Sequence, residues 1–291
     1  MKLFQMIGRT LVGAAAATLL ALSAQAQDFT GHLGKIADSG VITIGYRESS
    51  IPFSYLDENQ KPVGYTMDIC AKIVDAVSAK VGKDLEVRYV PVNPKTRMTL
   101  IANGTIDMTC GSATNTLARQ EQVGFLQTIF VTGTKILVKA DSGIHSIDDL
   151  DGKAIALPQG TTNDKVIREE IEKRGLNVKI LSVSNHGEGF LALDTDRVDA
   201  YSTDHILLFG LKAKAKNPDE YEVVGDFLSF DPYGIMIPRD DDDFRLVGET
   251  AIAELSRSGE LDTLYDTWFK PLGVEKTPLL ESAFVLAALP R

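Results

Sequence analysis

The stretch GVITIGYRESSIPFSY, residues 40–55, sets the reading of the whole chain. Its run Val41-Ile42-Thr43-Ile44 has the character of a buried strand, and Pro52 prevents a helix from following. Between them stand an arginine, a glutamate and two serines. In an open α/β sheet the carboxyl ends of the strands face the ligand crevice, so Arg47 is a candidate to hold an anion. The competing reading is a surface arginine paired with Glu48.

Downstream, YTMDICAKIVDAVSAKVG (65–82) places Met67, Ile69, Cys70, Ile73, Val74 and Val77 at mostly helical spacing. LEVRYVPV (85–92) alternates as a strand, TRMTLIANG (96–104) reads as a short helix ended by Gly104, and TIDMTCG (105–111) as another strand. Strand and helix units alternating at this length favour a parallel sheet with helices on both faces. The same grammar restarts at Ser146. A helical turn is followed by the strand KAIALP, a turn at Gly160, and a charged helix ended by Gly175. VKILSVSN, DAYSTD and YEVVGDFL follow as strands, with helices over 187–198 and 205–216 between them.

Two strand-like crossings, 128–140 and 229–240, separate these units, and an amphipathic helix broken at Gly259 closes the chain. If that closing segment packs on the first unit, the molecule has two lobes, the second inserted into the first. The expected bodies are 27–132 plus 231–291 for one lobe and 133–230 for the other, hinged at the crossings. The cleft between them is then the place for a ligand.

Residues 1–26 read as a secretory leader: MKLFQMIGR is basic, TLVGAAAATLLALS is a short apolar core, and AQA fits a small-x-small cleavage site after Ala26. The apolar core is too short for a span of about 20 residues. Gln27 is not the cysteine of a lipoprotein. A soluble, exported, periplasmic product is expected. Loss of Lys2 and Arg9 takes the formal charge from −10 to −12, which disfavours nucleic acid as a partner. A buried site for a small anion is untouched by that argument, since surface charge is screened over about 8–10 Å. Cys70 and Cys110 form either one disulfide or two buried thiols. His32, His145, His186 and His205 are scattered and no metal-ligand spacing occurs, so neither metal nor cofactor is expected.

Further strand ends carry polar groups. In TCGSATNTLAR (109–119), Gly111 allows close backbone approach, Ser112 and Thr114 offer hydroxyls, and Arg119 can grip a carboxylate through two parallel bonds; a capped turn is the plainer alternative. In LPQGTTNDKV (157–166), Thr162 stands where a helix N-terminus favours an anion, although such threonines commonly only cap. No P-loop or GxGxxG accompanies it, so a nucleotide has no support. His186 and Asp204 each lie between a strand and a helix. Asp204 either caps its helix or offers an anion to an ammonium group. A hydrolytic triad of Ser112, His186 and Asp204 lacks a nucleophile elbow and draws on both lobes.

Taken in order, GVITIGYRESSIPFSY, NGTIDMTCGSATN, IFVTGTKIL, GKAIALPQGTT, HGEGF and SGELDTLYDTWF resemble the family-3 solute-binding proteins of polar amino-acid ABC importers. The resemblance covers essentially the whole chain after the leader and is greatest to the members that bind glutamate and aspartate. It implies a two-lobed periplasmic-binding-protein fold of type II, each lobe a mixed, largely parallel sheet flanked by helices, with a two-strand hinge. It also implies a monomer that closes on an amino acid and docks on a membrane permease, without covalent chemistry.

By that resemblance Arg119, Thr114 and Thr162 take the α-carboxylate, Asp204 and the carbonyl of Gly111 the ammonium, and Arg47, Arg97, Ser112 and His186 the side-chain carboxylate. Pro94 departs from the pattern, which has a serine touching the ligand there; a lost hydrogen bond to a charged group costs about 1.5–3 kcal/mol unless Asn93 or Thr96 compensates. Two other functions share the fold. A cyclohexadienyl dehydratase would need a general acid such as Glu48 or His186, and a sensor would dock on a receptor instead of a permease.

Overall fold

The computed structural model describes residues 29–290; the leader and its cleavage point lie outside the described residues. The strand Val41–Tyr46 is flanked by Glu86–Pro91 and Met108–Cys110, both parallel to it. Tyr46 stands opposite Pro91 on one side and Cys110 on the other, so three strands end level. Arg47, the segment leading to Arg97, and Gly111 therefore leave the sheet along one edge. The helix Tyr65–Val81 covers this sheet with Ile69, Ile73 and Val77, and stops at Gly82 in the left-handed region.

A second sheet repeats the arrangement. Ala154–Pro158 lies between Lys179–Val183 and Ala200–Asp204, parallel to both. Each sheet has five strands and neither is wholly parallel, which amends the expectation drawn from strand–helix alternation alone. Met236–Ile237 joins the first sheet antiparallel to Met108–Cys110, and Thr134–Lys139 joins the second antiparallel to Ala200–Asp204. Both antiparallel members come straight from a crossing. A chain that has just passed between lobes enters a sheet from the cleft side, against the direction of strands that end there.

The two crossings are each split in two. Phe130–Thr132 pairs antiparallel with Asp231–Tyr233, and only after Gly133 and Gly234 does the chain enter the lobe sheets. Gly133 is required by proximity: a Cβ there would meet the Ser229 carbonyl oxygen at 2.2 Å. The paired strands are rooted in the first lobe. Phe53 packs edge-on against Phe130 and Tyr233 with ring centroids 5.0 and 5.1 Å apart, and the Tyr65 hydroxyl donates to the Ile129 carbonyl at 2.9 Å.

Helices Asp242–Ser258 and Glu260–Phe269 return to the first lobe, burying Phe244, Ile252, Tyr265 and Phe269 in its core. Two helices, Gly31–Ser39 and Pro278–Ala287, are absent from the sequence reading. The second carries a legible start signal, since Thr277 accepts from the Leu280 amide and Pro278 is its first residue. Cys70 and Cys110 are joined by a buried disulfide linking the helix Tyr65–Val81 to the last residue of the strand Met108–Cys110.

Candidate functional site

The lobes meet across the level strand ends: Thr114 faces Thr162, Arg119 reaches Gly160, and Arg47 and Arg97 lie within electrostatic reach of His186. Arg47 is 2% exposed whereas its neighbour Glu48 is exposed, so the surface-pair reading fails. The Arg47 amide donates to Ser54 Oγ at 2.9 Å, which turns the side chain into the cleft. Its Nη1 and Nη2 are buried without a protein partner. Arg97, also buried, gives Nη1 to the Ser112 carbonyl at 2.9 Å, while Arg97 Nε and Ser112 Oγ have no partner in the protein. Arg119 places Nη1 on the Thr114 carbonyl at 2.7 Å and Nη2 on the Gly160 carbonyl of the other lobe at 3.2 Å. Gly111 has a steric reason as well, because a Cβ on it would stand 2.7 Å from Arg47 Cγ.

On the second lobe, helix capping falls to the residue just before each of two candidates. Thr161 caps the helix Thr162–Arg174 by accepting from the Asp164 amide, which frees Thr162 to reach Thr114 Oγ1 at 3.2 Å across the cleft. Asn185 likewise caps the next helix and leaves His186 buried. Asp204 occupies the N-cap position of His205–Lys214 but makes no cap bond. Its Oδ2 accepts from the Tyr233 hydroxyl at 2.6 Å and its Oδ1 from Asn163 Nδ2 at 3.2 Å. The capping alternative is therefore excluded.

Charge is crowded here. Burial lowers Arg47 to about 10. Arg97 is pushed well below its ordinary value, by burial first and then by the charges of Arg119 and Arg47. Arg119 is lowered by burial against the pull of Asp204 and Asp231. The same burial, with Arg47 and Arg97, drives His186 well below its usual range and keeps it neutral. His186 Nδ1 sits 2.7 Å from the Tyr201 hydroxyl. In the tautomer whose Nδ1 accepts the Tyr201 proton, Nε2–H is a donor; the other tautomer reverses both roles. Asp204 rises to about 7, from burial and from Asp231, partly offset by the Tyr233 and Asn163 bonds.

Three cations, a neutral imidazole and converging hydroxyls stand with two buried carboxylates, Asp204 and Asp231: positive charge is in excess, and the set complements a small solute with more anionic than cationic groups. A hydrolytic triad is not assembled, since His186 pairs with Tyr201 and Asp204 with Tyr233 and Asn163. Pro94 is buried, and a Cβ added to Gly160 would stand 3.2 Å from the Pro94–Lys95 backbone. Asn93 Oδ1 and Thr96 Oγ1 accept within their own turn, from the amides of Lys95 and Thr96 and from that of Asn93 respectively. The residues missed by sequence reasoning are Asn163, Tyr201, Asp231 and Tyr233. For Tyr201, Asp231 and Tyr233 the one signal is a polar group inside a strand or crossing expected to be buried; Asn163, in the first turn of a charged helix, carries none. By contrast, a surface groove of about 530 Å³ beside Lys72 and Glu260 lies far from these converging donors.

Two lobes of mixed sheet closing on a polar cleft define the type II binding-protein fold, and solved structures agree. ArgBP from T. maritima, in a mutant form, superposes with a TM-score of 0.72 at 27% identity, over 82% of this chain and 100% of that one. An ancestral amino acid-binding protein described as a precursor of cyclohexadienyl dehydratase gives 0.71 at 26% identity, over 82% and 100%. The chain belongs to the bacterial extracellular solute-binding proteins, family 3, whose model matches residues 42–271. It is 43% identical to the glutamate/aspartate import solute-binding protein of Salmonella typhimurium over 239 residues, 82% of this chain and 79% of that one. It is 42% identical to the L-glutamate/L-aspartate-binding protein of Pseudomonas aeruginosa over 255 residues, 87% and 84%.

Proposed function

We propose that this protein captures L-glutamate and L-aspartate in the interlobe cleft, in the periplasm, and delivers them to the membrane permease of an ABC importer. The observation that carries the reading is the Arg47 guanidinium: 2% exposed, with both terminal nitrogens unpartnered in the protein and a second buried arginine nearby. A buried cation costs several kcal/mol unless an anion meets it, and the side-chain carboxylate of an acidic amino acid is the group a neutral amino acid lacks. In this assignment Arg47, Arg97, Ser112 Oγ and His186 Nε2–H take that carboxylate. Arg119 with Thr114 and Thr162 takes the α-carboxylate, and Asp204 with the Gly111 carbonyl takes the ammonium. The closing bodies are 27–132 plus 231–291 and 133–230, acting as a monomer after removal of residues 1–26.

A binding role without chemistry is supported by the two acids an enzyme of this fold would call on: Glu48 is exposed, and His186 is buried, neutral and tied to Tyr201. Calorimetric titration of the purified mature chain with each common amino acid tests the proposal. Tight binding confined to glutamate and aspartate is expected; preference for a basic or apolar amino acid, or turnover of prephenate or arogenate, overturns it.

A further inference from the structure

The crossing strand Asp231–Tyr233 pairs with Phe130–Thr132 between the lobes. Alternate residues of a strand share a face. Pro232, with Phe230, lines a groove on the outer side, while Asp231 and Tyr233, 1% and 0% exposed, point together into the molecule. Each reaches a different ligand group of the second lobe. Asp231 Oδ1 accepts from Thr162 Oγ1 at 2.9 Å, and Ser229 Oγ sits on Oδ2. Thr162 has a single hydroxyl proton, so the Thr114 hydroxyl at 3.2 Å is the donor to it. A directed chain thus runs from Thr114 on the first lobe, through Thr162 on the second, to Asp231 on the hinge. Beside it, Tyr233 donates to Asp204 Oδ2 at 2.6 Å, and Asn163 donates to both Asp204 Oδ1 and Thr134 Oγ1, the latter 2.8 Å from the Ser229 hydroxyl that sits on Asp231.

We propose that Asp231 and Tyr233 are positioning residues that couple lobe closure to amino-acid capture, Asp231 by orienting the Thr162 hydroxyl and Tyr233 by orienting the Asp204 carboxylate. Neither needs to touch the solute. Because both are borne by the strand about which the lobes move, the second lobe's anion-binding and ammonium-binding groups are set by the hinge itself. The closed form gains the Thr114–Thr162 contact only when Thr162 is held in register. The choice of an amino acid as solute rests on the function proposed above; the coupling of hinge to closure does not.

Asp231→Asn and Tyr233→Phe in the full mature chain test this. Both are expected to keep the circular dichroism of the parent. Small-angle scattering should show ligand-free Asp231→Asn more open than the parent, and glutamate should leave it about 10-fold faster or more, with association changed far less. Tyr233→Phe should lose about 10-fold of the parent's preference for glutamate over glutarate, which lacks the ammonium group, whereas Asp231→Asn should weaken both alike. Unchanged scattering and dissociation in Asp231→Asn, or an unchanged glutamate-to-glutarate ratio in Tyr233→Phe, overturns the proposal. A parent protein that ignores glutamate refutes the proposed function instead, and the scattering comparison then decides the hinge role alone.

Discussion

Gly111 and the stem of Arg47 occupy one space: a Cβ at residue 111 would stand 2.7 Å from Arg47 Cγ, well inside contact distance. Gly111 is buried and directly follows Cys110, the disulfide-tethered end of its strand, so the arginine and not the backbone must give way. Gly111→Ala should therefore displace Arg47 and weaken glutamate binding by about 10-fold or more, with little change in secondary structure. Parallel calorimetry and circular dichroism check this; wild-type affinity in the alanine variant would mean that the position of Arg47 is unimportant.

Arg47 and Arg119 should fail differently when removed. Arg47→Met deletes a buried cation that has no protein partner at either terminal nitrogen, so the ligand-free protein is expected to gain stability, by about 1–4 kcal/mol on the pattern of buried charges replaced by apolar groups of similar volume. It should also lose its preference for acidic over neutral amino acids. Arg119→Ala also removes a link between the lobes, through the Gly160 carbonyl, and should abolish binding of every amino acid. Thermal melts and titrations with glutamate and glutamine distinguish the two; identical losses would contradict the separate roles.

Glutamate affinity should rise with pH from 5 to 8. Asp204 stands at about 7, above the ordinary carboxylate value near 3.9, because burial and Asp231 oppose its ionisation more than Tyr233, Asn163 and Arg119 favour it. A raised folded-state value means that its share of ligand-free stability is complete below about pH 4 and is lost as pH climbs through 7. An incoming ammonium favours the ionised form, so binding at pH 6 expels a proton from Asp204. Titration at pH 6 in two buffers of different ionisation enthalpy should give different heats, and the difference should vanish by pH 8.5. Equal heats at pH 6 count against the assignment.

The Cys70–Cys110 bond closes a loop with a sequence separation of 40, and the chain-entropy model assigns it about 4 kcal/mol. At about 2–4 °C per kcal/mol for a chain of this size, the Cys70→Ala, Cys110→Ala double variant should melt roughly 8–16 °C lower. Glutamate affinity should fall as well, since the bond anchors the strand that presents Gly111, Ser112 and Thr114. A calorimetric scan with and without reductant provides the check.

Much of the fold was legible because its signals are local. Apolar runs of strand length, helical spacing from Met67 to Val77, and glycines at 82 and 175 each constrain a few neighbouring residues. Strand ends are legible too, which is why Arg47, Ser112, Thr114, Arg119, Thr162, His186 and Asp204 stand out as candidates from the residues themselves, whereas Arg97 enters only through the family resemblance. What stayed hidden depends on partners far along the chain. Whether Asp204 caps a helix or faces the cleft turns on Tyr233 and Asn163, and whether Arg47 is paired or buried turns on the second lobe closing over it.

Composition and periodicity therefore settle that this chain forms two strand–helix units with polar strand ends, because those preferences act over a turn or a pleat. Tertiary structure alone decides how those ends are used. Folding the two crossings into one antiparallel pair brings Asp231 to Thr162 and Tyr233 to Asp204, over sequence separations of 69 and 29. It is burial between the lobes, absent from any single segment, that turns Arg47 into an unpaired charge in want of an anion.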